Sequence, residues 1–281
     1  MTSFPEQTAI AFESALFLGG LGFLVWFFLS AAGRALRTRP AALPAWNVSL
    51  TDFLFLGWLV LTLGFLGQLL LRLTVGRVLH NQSEGVTMEL VLYGSMFHVG
   101  ALLTWLFARV VERRRRGPAM EPFRSHASLP ESIRAAALTF LVVVPLVGAA
   151  SFGWEYLLEI LHLPTERQEL VDLFTQTKSP ALVGVMVVLA LVVAPVSEEL
   201  VFRAGIFRFL RSRIPRWVAY GVSAGVFALL HANWVSFLPL CILGVIFAMA
   251  YERTGRIAVP MLAHALFNLN TLLLVLSGIG S

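Results

Sequence analysis

The residues of this chain best equipped for chemistry are two adjacent carboxylates, Glu198 and Glu199, followed by Arg203, then His231, then His264 and Asn268. Each stands inside or at the end of an apolar run. An ionisable side chain near the bilayer centre is costly, so such a residue is a functional candidate by default. A carboxylate and an imidazole together can move protons. Adjacent residues on a helix point about 100° apart, so Glu198 and Glu199 are expected to serve different tasks. Glu199 and Arg203 stand at i, i+4 in the favourable acid-first order, a pairing that neutralises the arginine inside the membrane. Glu198 is then left to face a cavity with His231. His264 and Asn268 share one helix face at i, i+4. Pro195 removes a backbone N–H and frees a carbonyl one turn earlier. Such a break is tolerated where it lines a cavity or packs on protein. The competing reading makes the same residues a polar network that only holds helices together.

The elements that must position these groups follow from composition. The 281 residues are 58% hydrophobic and 13% charged, and the mean hydropathy is +0.80. A soluble core of this size cannot absorb so much apolar surface, which leaves lipid as the solvent. Eight apolar stretches of membrane-helix character are read at roughly 10–32, 52–75, 86–111, 133–153, 181–207, 217–232, 234–251 and 258–277. The expected class is an all-α polytopic membrane protein with a central intramembrane cavity. Its parts are a three-helix N-terminal extension (1–111), a polar linker on the inner face (112–132) and a membrane domain (133–281) that carries all the candidate residues above. Counted from the nearest inner-face arginine, Glu198 lies ~15 Å deep, His231 ~22 Å, His264 ~12 Å and Asn268 ~18 Å. Three separate spans therefore bring polar groups to one level.

Arginines set the orientation. Alternate loops hold Arg34, Arg37 and Arg39; Arg113 to Arg116 and Arg124; Arg208, Arg211, Arg213 and Arg216; and Arg253 and Arg256. The intervening loops hold only Arg77, then Arg167 and Lys178, then no basic residue around Asn233. This alternation places both termini outside, and Glu6 without basic neighbours reads as the start of a retained first helix rather than a cleaved signal. The net charge of +5 thus serves membrane orientation, and no nucleic-acid partner is expected. The single Cys241 excludes a disulfide framework and any cysteine-based zinc site.

Other polar groups invite blander readings. Glu155, Glu159 and His162 have metal-compatible spacing but fall beside Trp154 and Tyr156, which suggests an outer interfacial helix. His98, deep in the third span, reads as a packing histidine bordering the cavity at most. Glu13 and Gln68 read as helix-packing groups, and His80 and His126 fall in loops. Gly221, Gly225 and Gly244 read as sites of close helix approach.

The ordered set Glu198-Glu199-x-x-x-Arg203, Phe227-x-x-x-His231 and His264-x-x-x-Asn268 resembles the CAAX-protease and bacteriocin-processing family, also called the Abi or type II CAAX prenyl endopeptidase group. The resemblance covers about residues 130–280. It implies intramembrane proteolysis in which Glu198 and His231 activate a water molecule while His264 and Asn268 form the oxyanion hole. A zinc-dependent version would instead use Glu198, His231 and His264 as ligands. Asn268 is a poor zinc ligand and a good oxyanion donor, which favours chemistry without a cofactor. Expected partners are the bilayer and a membrane-associated peptide or protein substrate, with a homo-oligomer left open and a bacterial inner membrane as the location. Two other classes compete: a non-catalytic scaffold or bacteriocin-immunity protein of the same fold, and a transporter. A transporter would show broken helices in two corresponding halves, and only one Pro-broken polar helix is present.

Overall fold

The computed structural model describes residues 4–75, 85–116, 128–163, 177 and 179–277. Among them the chain forms nine helices: α1 (Phe4–Leu29), α2 (Ala31–Thr38), α3 (Leu50–Thr74), α4 (Gly85–Arg116), α5 (Leu129–Ile160), α6 (Pro180–Arg211), α7 (Arg216–Leu229), α8 (Trp234–Thr254) and α9 (Ala258–Leu276). Seven of these are long and apolar enough to cross a membrane. The chain is thus an all-α polytopic membrane protein in which each of the eight expected stretches corresponds to a helix.

Local signals explain several boundaries. Ser49 accepts from the Asp52 N–H at the start of α3, and Ser179 accepts from the Leu182 N–H with Pro180 opening α6. Asn233 accepts from the Ser236 N–H to start α8. Gly255, at φ 66°, ends α8 in the left-handed conformation that glycine adopts without steric cost.

Three boundaries differ from the sequence reading. The first span stops at Leu29, because Ser30 caps a separate short helix, α2, by accepting from the Gly33 N–H. The fourth span and the supposed interfacial helix after it are one helix of 32 residues, since the apolar pattern continues through Leu157 and Leu158. The sixth span yields a helix of only 14 residues. At 1.5 Å per residue it extends ~21 Å, short of the hydrocarbon thickness. His231 therefore lies in the turn beyond the helix end, where Ala232 adopts φ 49°. Arg77, Arg124, Arg167, Lys178, His80 and His126 lie outside the described residues.

α5 is the central post, packed against α1, α8 and α9, while α3 and α4 form a pair that meets the rest through α4 and α6. The core unites α5 through α9 in one cluster that includes Val143, Phe202, Phe227, Phe247 and Val259. Outward-facing side chains such as Leu18, Leu73 and Phe152 are large, apolar and exposed, as a lipid-facing surface requires. A Cβ on Gly100 would stand 2.6 Å from the Val60 carbonyl, and one on Gly244 would stand 2.8 Å from Ala224 Cβ. Those two glycines let helices approach closely. Gly221 and Gly225 do not, because a Cβ there would meet nothing.

The arginines gather at one end. Arg253 donates to the Leu36 carbonyl, Arg213 to the Val48 carbonyl, Arg256 to Ser132, and Arg211 pairs with the buried Glu252, which also accepts from Tyr220. The segment between α2 and α3 lies across this end. It lines an open pocket of about 310 Å³ together with Arg208, Arg211 and Ser212.

Candidate active site

α6 is not a uniform helix. π-helical segments at Leu189–Val193 and Leu200–Phe207 bracket the α-helical Ala194–Glu199. π-segments interrupt the regular ladder and recur at functional sites. The cause here is legible in Pro195. In the π-register the Ala194 N–H bonds to the Leu189 carbonyl, so the next carbonyl, of Ala190, faces a proline with no N–H. Asn268 of α9 supplies the missing donor, its Nδ2 donating to Ala190 O at 2.7 Å.

Glu199 and Arg203 are the most deeply buried charged pair among the described residues, with side chains 0% and 1% exposed and Oε1 2.9 Å from Nη1. The guanidinium lies over the Phe227 ring at 4.4 Å and the Phe247 ring at 5.4 Å. It makes no aligned hydrogen bond, so charge pairing and ring faces stabilise it together.

Glu198 and Glu199 share one partner although their surroundings differ. His264 bridges them: Nδ1 lies 3.0 Å from Glu199 Oε1 and Nε2 lies 3.8 Å from Glu198 Oε2. One imidazole has nitrogens on opposite edges, so it reaches two carboxylates that leave their helix in different directions. Glu199 is fully buried, whereas the Glu198 side chain is 18% exposed. Glu198 is thus the less buried of the two carboxylates.

His231 lies edge-on to Phe227, with ring centres 4.7 Å apart, and Phe227 in turn meets His264 at 6.3 Å. Its Nδ1 is 2.8 Å from the Phe227 carbonyl. A carbonyl only accepts, so Nδ1 carries the hydrogen and Nε2 keeps a lone pair in the neutral ring. No direct hydrogen bond or ion pair joins His231 to Glu198 among the described residues. Nor do any three His, Cys, Asp or Glu side chains among them converge closely enough to hold a metal ion.

His98 is a hydrogen-bonded packing histidine that borders the site, as the sequence suggests. It stands 2.7 Å from Ser197 Oγ, beside Glu198, and within electrostatic reach of Glu198, His231 and His264. Its depth in the third span was the available signal, but nothing in the sequence tied α4 to α6. Two of the remaining candidates join helices. Glu13 accepts from Asn270 and joins α1 to α9. Gln68 donates to the Tyr93 carbonyl and joins α3 to α4. Glu155, Glu159 and His162 form no metal-binding group, and Trp154 nearby donates to the Trp234 carbonyl.

Residues 180–270 match the family model described as type II CAAX prenyl endopeptidase Rce1-like. The chain is 43% identical over 84 residues to the membrane-embedded CAAX protease MroQ of Staphylococcus aureus, covering 27% of this chain and 34% of that protein. It is 35% identical over 86 residues to YdiL of Bacillus subtilis, covering 31% and 35%. It is 33% identical over 88 residues to the UPF0177 protein YbdI of Lactococcus lactis, covering 31% and 46%. The matches span about a third to a half of these curated relatives. No solved structure matches the chain.

Proposed function

We propose that this chain, a CAAX-protease and bacteriocin-processing family protein by its segment 180–270, hydrolyses peptide bonds of a membrane-associated protein or peptide. The observation that carries the reading is the partly exposed Glu198 carboxylate facing one edge of His264, while the buried Glu199 holds the other. Two carboxylates with different environments on one imidazole allow separate acid–base and structural duties.

In this mechanism Glu198 removes a proton from water, and the His231 Nε2 lone pair accepts the water's second hydrogen. The oxygen attacks the scissile carbonyl and a tetrahedral oxyanion forms. His264, held at Nδ1 by Glu199, donates to that oxyanion from Nε2. Asn268 supplies a second donor, since one amide hydrogen serves Ala190 and the other is available. Collapse breaks the C–N bond, and Glu198 returns its proton to the departing amine. Glu199 and Arg203 hold His264 in place.

The zinc alternative draws on Glu198, His231 and His264, whose separation does not suit a shared ion. For location we propose the bacterial inner membrane with both termini outside, supported by the gathering of arginines at one end of the bundle.

The test is cleavage of a membrane peptide library in proteoliposomes by the parent, Glu198→Gln and His231→Ala. Glu198→Gln is expected to lower turnover by roughly 10²–10⁴-fold. A parent that cuts nothing, or variants that cut equally well, would leave the polar network as a scaffold. Activity lost to a chelator and restored by zinc would replace the water-activation scheme with the metal version.

A further inference from the structure

The arginines at the polar end of the bundle are not equivalent. Several are spent inside the protein. Arg213 donates to the Val48 carbonyl, Arg253 to the Leu36 carbonyl, and Arg211 gives its Nε to the buried Glu252. Arg208 is different. No carboxylate pairs with it among the described residues. Its Nε is shielded from solvent and has no hydrogen-bond partner. The guanidinium lies 5.6 Å from the centre of the Trp46 ring, and Tyr251 beside it brings no charge.

This cation lines the open pocket of about 310 Å³ with Leu43, Pro44, Ala45, Arg211 and Ser212. Such a volume stands at the lower end of the roughly 300–1,000 Å³ usual for small-molecule sites. The wall is fixed in place. The Leu43 N–H donates to the Glu252 carbonyl at 3.2 Å. The Trp46 N–H donates to Ser212 Oγ at 2.8 Å, and that hydroxyl donates to the Arg208 carbonyl at 2.9 Å. The Ser212 hydrogen is therefore spent, and the side-chain donors left in the lining are the two guanidinium groups. Glu252 offsets Arg211, so one positive charge stays uncompensated. A guanidinium presents paired N–H groups that match two oxygens of a phosphate. Arg208 and Arg211 both stand in the last turn of α6, where a spanning helix leaves the hydrocarbon and meets the headgroups. Basic pockets between helices at that level suit anionic headgroups.

We propose that this pocket binds one phosphate group, as an anionic phospholipid headgroup or free phosphate presents it, with Arg208 and Arg211 donating to its oxygens. A single negative charge matches the single uncompensated cation. The observations favour the lipid, because Leu43 and Pro44 add apolar lining and the pocket opens where headgroups lie. A zwitterionic headgroup would bring an ammonium up to Arg208 and Arg211. The proposal holds whether or not the chain is a peptidase.

Native mass spectrometry of the delipidated full chain in a neutral detergent tests this. Titrated with phosphatidylglycerol or phosphatidylcholine, the chain should retain phosphatidylglycerol in preference. Arg208→Gln should weaken that retention by about 10- to 100-fold, the scale of lost charge-assisted hydrogen bonds. Arg34→Gln removes the same charge from an exposed arginine of α2 and should change it by roughly fivefold at most. Equal losses in the two variants would overturn the proposal, because diffuse attraction would then account for the binding. Equal retention of phosphatidylcholine would overturn it as well. Inorganic phosphate separates the two sources. If free phosphate is the ligand, an excess displaces the lipid and raises the melting temperature of the lipid-free chain; if the lipid is the ligand, it does neither. A further measurement needs no substitution. Bound phosphate should protect Arg211, whose side chain is 36% exposed, from phenylglyoxal while Arg34 continues to react. An Arg211 that neither phosphatidylglycerol nor inorganic phosphate protects overturns the proposal even if Arg208→Gln does not fold.

Discussion

At the scale of single residues, the site is organised by which polar atoms are already taken. Arg203 has the protein interior on every side and one carboxylate for a partner. Taking two charges out of water is expensive, and the pair holds only while both members are present. Glu199→Gln is therefore expected to destabilise the protein by roughly 3–5 kcal/mol. Adding Arg203→Met should return much of that loss, because no uncompensated charge then remains. Thermal unfolding in detergent measures both, and equal midpoints for the single and double variants would refute the account. The same bookkeeping of donors distinguishes Glu198 from Glu199. In the proposed mechanism the partly exposed carboxylate transfers protons, whereas the buried one is committed to Arg203 and His264.

At the scale of elements, the unusual register of α6 positions the site. A straight α-helix would carry Glu198 and Glu199 on fixed divergent bearings. The two π-segments flanking Ala194–Glu199 re-aim that short stretch. Pro195 and Asn268 act as one device in this arrangement, since the proline leaves the Ala190 carbonyl without an N–H and the asparagine supplies one. Asn268→Leu should cost about 1–3 kcal/mol, the penalty of a buried unsatisfied carbonyl. In a Pro195→Ala background the cost should shrink, because the substituted residue has a backbone N–H of its own to donate to the Ala190 carbonyl. A double-mutant cycle on thermal stability reads the coupling, and strict additivity would show that the two residues act independently.

At the scale of the whole molecule, the bundle has one polar end and a buried polar level some distance from it. Glu198 is ten residues along α6 from Arg208, or ~15 Å. The segment between α2 and α3 crosses the arginine end and is tied there by Ala42 and Leu43, whose N–H groups donate to the Glu252 carbonyl at 3.0 and 3.2 Å. If that end faces the cell interior, Asn47→Cys in a Cys241→Ala background should react with an impermeant maleimide only after permeabilisation. Leu163→Cys, at the exposed far end of α5, should react in intact cells. The reverse pattern would invert the orientation while leaving the fold untouched.

Membership in the membrane class, eight helical stretches and the candidate residues Glu198, His231, His264 and Asn268 were legible in the linear chain. Lipid penalises every polar group, so a carboxylate or imidazole in an apolar run stands out without knowledge of its neighbours. The i, i+4 spacing of Glu199 and Arg203 was equally local. What packing alone decided was partnership: His264 between both carboxylates, Asn268 on the Ala190 carbonyl, His98 on Ser197, and the short α7 that leaves His231 in a turn. Each of these joins distant positions of the chain or depends on where a helix stops. Hydropathy is a property of each residue in its solvent, whereas a hydrogen bond between helices depends on their relative rotation and depth, which only the assembled bundle determines.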